Sequence, residues 1–178
     1  NAFNRCVLLG NGQRRDLPVN LVPHGVIATG FGPIIKLAGE IFSRVLSMTN
    51  PVSAQSLVVA GGMEDEAAFL PLVIERFERQ VQALQRLAAL EALLAAQAMD
   101  IHGDEPGGAV KLIYDAVRRH AAFYTVDRPL SAEVEAIEAE LASEAFLTEL
   151  IAISPIHAID GFFALGGFGM QGVQPTQP

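Results

Sequence analysis

At 178 residues the chain is long enough for one or two domains, and with 51% apolar and 18% charged residues it has ample material for a core or for buried subunit contacts. A formal net charge of −8 with scattered basic residues argues against a nucleic-acid surface, and Cys6, the only cysteine, excludes an intrachain disulfide and a thiol–metal cluster. No run of eighteen uncharged apolar residues occurs, so no membrane-spanning helix is expected. The closest candidate, Val19 to Leu37, is broken by Pro23, Gly25, Gly30, Gly32 and Pro33.

Residues 1–22 show no sustained period. Val7-Leu8-Leu9 before Gly10-Asn11-Gly12 reads as a short extended piece and a turn. A helix is predicted from about Gly32 or Pro33 to Met48, because Pro33 suits a first turn and Ile34, Leu37, Ile41, Val45 and Met48 recur at steps of three and four. Asn50-Pro51 stops it. The longest helix is predicted from Glu64 or Phe69 to Met99, with Leu70, Val73, Phe77, Val81, Leu84, Leu87 and Leu94 in one stripe and Leu72, Ile74, Leu90 and Leu93 widening it. Its length, about 45 Å at 1.5 Å per residue, exceeds a compact domain of this size. Such a helix finds partners in other subunits or in further parts of a longer chain.

Gly103 to Gly108 reads as a loop, followed by a helix from about Ala109 to Thr125. Ser131, with Glu133 and Val134, opens a further helix to about Leu150. From Ile151 to Pro178 the texture turns Gly/Phe/Pro-rich and aperiodic. The organisation is therefore a helical region over 1–150 and a tail over 151–178, with an all-α fold in which a long central helix meets shorter antiparallel ones. The start at Asn1-Ala2-Phe3, without an initiator Met or a signal-like segment, leads us to expect a fragment, a processed product or a remnant of something longer. A reducing cytosol is the expected compartment.

One crossing concentrates polar chemistry. Asn50-Pro51-Val52-Ser53 is followed by Gly61-Gly62-Met63-Glu64-Asp65, placing two carboxylates at a helix start. On residues alone these are either solvent-facing acids that stabilise the helix end by roughly 0.3–1 kcal/mol each or binding groups. His24, His102, His120 and His157 lack metal-ligand spacing, and His102 suits a helix C-terminus. No Ser, Cys or His combination supports a nucleophile–base pair. Gly10-Asn11-Gly12 and Gly166-Gly167-Phe168-Gly169 lack the context of phosphate loops.

Leu17-Pro18-Val19-Asn20-Leu21, Thr29-Gly30-Phe31, Asn50-Pro51-Val52-Ser53, Glu64-Asp65 and Gln97-Ala98-Met99-Asp100-Ile101 stand in the order and spacing of the aromatic amino acid lyase family. That family comprises histidine, phenylalanine and tyrosine ammonia-lyases and related aminomutases. Residues 4 to 143 resemble its C-terminal part. The resemblance implies a homotetramer with helices bundled at its centre, and an aromatic or histidine-like amino acid as substrate. It implies a substrate-facing Glu64, where histidine-type members keep a glutamate; there Glu64 would hydrogen-bond substrate or assist proton transfer. Met63 falls on a second substrate-binding position, where the family usually has an amide; a thioether is a weak acceptor and no donor. Glu66, Gly32 and Ala60 also depart from family residues: His in histidine-type members, and Lys and Glu in phenylalanine-type ones.

The family's electrophile is a methylidene-imidazolone group made from an internal Ala-Ser-Gly, and no Ala-Ser-Gly occurs in this chain. Tyr114 and Tyr124 do not match the family's proton-abstracting tyrosine. The expectation is therefore a segment supplying one active-site wall and an assembly surface to an ammonia-lyase or aminomutase, inactive by itself, with the missing N-terminal part and further copies as partners. The alternative is a non-catalytic helical assembly module.

Overall fold

The computed structural model describes residues 1–12, 17–51 and 69–153, and among them every regular element is helical. In chain order they are α1 (Ala2–Gly10), a 3₁₀ turn (Val19–Leu21), α2 (Gly32–Ser47), α3 (Leu70–His102), α4 (Gly108–His120), α5 (Ser131–Leu141) and α6 (Glu144–Ile153). The all-α expectation and the long central helix are both found.

Three local expectations are corrected. The extended piece at Val7-Leu8-Leu9 is part of α1. Phe3, Cys6, Val7 and Gly10 repeat at helical steps, but over too short a stretch for the period to stand out. Cys6 is buried, and the ring of Phe3 stacks on Phe42 of α2 with centroids 5.1 Å apart. Gly10 is buried against α2, where a Cβ would meet the Ile35 side chain and oblige it to shift.

The helix expected over Ala109–Thr125 stops at His120. Tyr124 gives its main-chain N–H and C=O to the side chain of Gln97, which holds this stretch off the helix. The single helix expected over Ser131–Leu150 is two. The Ser143 hydroxyl accepts the Phe146 N–H at 3.2 Å and starts α6 as a cap. Leu130, not Ser131, occupies the cap position of α5.

The core lies where α1, α2, α4 and α5 surround the C-terminal half of α3. Leu87, Leu90, Leu93 and Leu94 are buried there beside Leu21, Phe31, Val117 and Ile137. Each such Leu contributes roughly 1.5–3 kcal/mol. The N-terminal half of α3 is different: Leu70, Phe77 and Leu84 are 60%, 64% and 54% exposed. At 33 residues α3 spans about 50 Å, and among the described residues the core gathers around its C-terminal half. Pro71 sits in its first turn and marks the start without kinking the helix. Among the described residues no helix is long and apolar enough to cross a membrane.

A candidate site wall and the knot that anchors it

Asn20 and Leu21 both take left-handed backbone conformations, with φ of 55° and 52°. This bend brings the Asn20 carbonyl to the Phe31 N–H at 2.9 Å, closing residues 20–31 into a loop. Gly30 sits at its neck with φ of 68°; a Cβ there would lie 2.5 Å from the Asn20 carbonyl oxygen. Phe31, buried at the entry to α2, packs on the Tyr124 ring with centroids 5.0 Å apart.

Asp127 ties this loop to the segment after α4. Its carboxylate accepts the Thr29 N–H at 2.8 and 3.0 Å, the Gly30 N–H at 3.2 Å and the Tyr124 hydroxyl at 2.8 Å. These donors, the Thr29 amide first, hold the Asp127 carboxyl down at about 2. Arg128 lies over the Tyr124 ring and pairs with Glu133 of α5. Beneath them Gln97, fully buried on α3, donates from Nε2 to the carbonyls of Tyr124 at 3.0 Å and Leu21 at 3.4 Å, and accepts the Tyr124 N–H at 3.0 Å. Three separated stretches of the resemblance, around residues 20, 30 and 97, thus meet in one knot.

α2 leaves this knot and ends at Ser47; the chain re-enters the described structure at Phe69 before α3. Arg76 of α3 donates to the Asn50 carbonyl at 3.0 Å, so the two ends of the crossing are tied. Below them a cleft of about 720 Å³ runs between α2, α3 and α5, with Ile41, Met48 and Ala83 as apolar lining. Its arginines are already paired: Arg44 with Glu40, Arg79 with Glu75, and Arg86 with Glu138. Met63, Glu64, Asp65 and Glu66 belong to the crossing and lie outside the described residues. The structure thus positions the anchors on either side of the expected substrate-binding pair.

Several other titratable groups are engaged structurally. Tyr114 donates to Asp100, which keeps the phenol protonated to higher pH, and Asp100 pairs with Arg118 at 2.7 Å. Tyr124 is raised by burial and by its bond to Asp127. Neither tyrosine is poised to abstract a proton near neutral pH. Burial pushes the Cys6 thiol up to about 11, which removes it as a nucleophile. His102, the last residue of α3, lies beside the Asp104 carboxylate, while the main-chain N–H groups of Gly103 and Asp104 cap the helix at the Met99 carbonyl. Among the described residues no group of His, Cys, Asp and Glu could hold a metal ion. Nor do Gln97, Tyr114, Tyr124 and Asp127, each consumed by internal hydrogen bonds, offer a holder for a methylidene-imidazolone group.

In the sequence Asn20, Gly30 and Gln97 stand out only as parts of motifs, and Asp127 only as part of a helix-ending stretch. A glutamine in the apolar run Leu93 to Ala98 was the available signal: a polar side chain on a buried face has specific partners.

The aromatic amino acid lyase family model matches residues 1–119. Histidine ammonia-lyase of Bacillus cytotoxicus is 26% identical over 151 residues, which cover 84% of this chain and 30% of that protein. Histidine ammonia-lyase of Koribacter versatilis is 32% identical over 139 residues, covering 76% and 27%. Among solved structures, the ergothioneine-degrading enzyme ergothionase from Treponema denticola superposes with a TM-score of 0.75 at 28% identity, over 82% of this chain and 30% of that one. Tyrosine aminomutase from Streptomyces globisporus gives 0.74 at 27%, over 86% and 30%. The chain spans about 30% of the length of the curated relatives it matches. With the family model matching most of its residues, the chain belongs to the aromatic amino acid lyase family.

Proposed function

We propose that this chain is the C-terminal part of an ammonia-lyase or aminomutase acting on an aromatic or histidine-like amino acid, working in the cytoplasm as a homotetramer. The family match over residues 1–119 carries this reading. In it the crossing between α2 and α3 forms one active-site wall, with Glu64 binding the substrate's imidazole or amine, or moving its proton, and Met63 beside it. The knot of Asn20, Gly30, Gln97 and Asp127 fixes the helices from which that crossing springs. The exposed half of α3 is the assembly surface. The electrophile, which this chain has no Ala-Ser-Gly to make, comes from another segment of the parent protein, so the 178 residues alone do not turn over substrate.

Two observations test this reading. The parent protein should contain Ala-Ser-Gly upstream of Asn1 and show the ultraviolet absorbance of the methylidene-imidazolone group. Glu64→Gln in that protein should lower turnover roughly 10²–10⁴-fold with the assembly unchanged, whereas unaltered kinetics make Glu64 an ordinary helix-start acid.

A second reading, a helical assembly module without lyase chemistry, is favoured by Met63, which replaces the family's amide with a group that donates no hydrogen bond. Met63→Gln separates the two. Gained activity in the parent toward a family substrate places the defect in the pocket rather than in the fold.

A further inference from the structure

The C-terminal turn of α3 builds a histidine–carboxylate pair at the edge of a small pocket. Gly103 takes a left-handed conformation with φ of 78°, which costs a glycine no steric strain. Its N–H and that of Asp104 both turn back to the Met99 carbonyl, at 2.8 and 3.0 Å. The turn brings Asp104 alongside the last helical residue, with its carboxylate 2.8 Å from Nδ1 of His102. An ionised carboxylate only accepts, so Nδ1 carries the hydrogen, and in the neutral ring Nε2 is left as an acceptor. No described residue donates to that nitrogen. His102 and Asp104 keep 45% and 36% of their side-chain surface, so a ligand can reach them.

The pocket that this pair lines has a volume of about 210 Å³ and lies between α1, the Leu17 stretch and α3. Its other lining residues are all apolar: Leu9, Leu17, Ala95, Ala98 and Met99. We propose that it binds a small monocyclic phenol, with the ring among these apolar side chains and the hydroxyl donating to His102 Nε2. The size fits, since a dry apolar cavity of about 150 Å³ already holds a benzene ring. Met99 adds a thioether, which packs favourably against an aromatic edge. The polar end decides the class. With Nδ1–H given to Asp104, the ring nitrogen that remains asks for one donor. A ligand carboxylate would meet the Asp104 charge, in a chain of net charge −8. An ammonium group would be desolvated by five apolar neighbours and find one carboxylate that His102 already engages. A phenol carries the single donor and the apolar body together. This site stands on described residues of α1 and α3 and holds whether or not the parent is a lyase.

The test titrates the full chain with p-cresol and with its methyl ether, which keeps the ring and loses the donor. p-Cresol should bind about tenfold more tightly than the ether, the difference a single hydrogen bond supplies. In a nitrogen-detected magnetic resonance spectrum the Nε2 signal of His102 should move on addition of p-cresol and stay in place with the ether. His102→Leu keeps the apolar bulk and removes the acceptor. It should bring p-cresol down to the affinity of the ether and leave the ether's own affinity unchanged. Should that variant fail to fold, the comparison of the two ligands on the unaltered chain decides by itself. Equal affinities, an absence of saturable p-cresol binding at millimolar concentration, or binding that leaves the Nε2 signal unmoved would each overturn the proposal. So would a folded His102→Leu chain that binds p-cresol as tightly as the unaltered one.

Discussion

The side-chain amide of Gln97 and the main chain of Tyr124 form a reciprocal pair, each donating to the other at 3.0 Å, with Gln97 fully buried. This pair joins the family-matched residues to the segment beyond residue 119, and it ends α4. Gln97→Leu keeps the volume and removes both bonds, leaving the Tyr124 N–H and C=O unpaired in the core. Each such group costs about 1–3 kcal/mol, so a loss of roughly 2–5 kcal/mol is expected. Denaturant titration at fixed protein concentration should show a lower midpoint with an unchanged slope.

Acid sensitivity should come in part from Asp127. Its carboxyl is held at about 2 in the folded chain against an ordinary 3.8. Because the folded value is the lower one, the stabilisation is fully present above pH 4 and is lost as pH falls toward 2. Asp127→Asn removes this component, so its stability should fall less steeply across that window than that of the unaltered chain. A pH series of thermal melts reads the difference; parallel curves would show that the amide bonds to Thr29 and Gly30 carry no charge-dependent stabilisation.

Two glycines of similar backbone geometry should respond differently to alanine. Gly30 and Gly25 have φ of 68° and 79°. Both substitutions force a left-handed conformation on a side chain, at about 1–2 kcal/mol. Only at Gly30 does the new Cβ also meet the Asn20 carbonyl at 2.5 Å, whereas nothing lies within 4 Å at Gly25. Gly30→Ala should therefore lose more stability, by about 2 kcal/mol. Equal losses would mean that the loop neck relaxes freely.

Assembly should depend on the exposed half of α3. Leu84, 54% exposed, lies in the stripe that also holds Phe77 and Val81. Leu84→Asp should leave the helix content intact and convert an oligomer to smaller species in sedimentation. A stable monomer of the unaltered chain at micromolar concentration would refute the proposed tetramer.

α2 and α3 could be read from the chain alone, because each carries an apolar period over four or more turns and a proline in its first turn. Such periodic burial is a local property of the sequence. The family could also be read, from motifs whose spacing survives at low identity. Other features required the tertiary structure. α1 is too short for its period to show, and the α5–α6 break depends on whether the Ser143 hydroxyl turns toward the Phe146 N–H. The end of α4 is set by Gln97, 27 residues before Tyr124. Asp127 reaches Thr29 across 98 residues. Hydrogen bonds of that range leave no periodic trace, since a side chain's partner is chosen by where the packed helices bring it. How the stripe on α3 divides into a buried and an exposed half was likewise settled by helix lengths: α1, α2, α4 and α5 gather around Leu87 to Ala98, and the half from Leu70 to Leu84 extends beyond their reach.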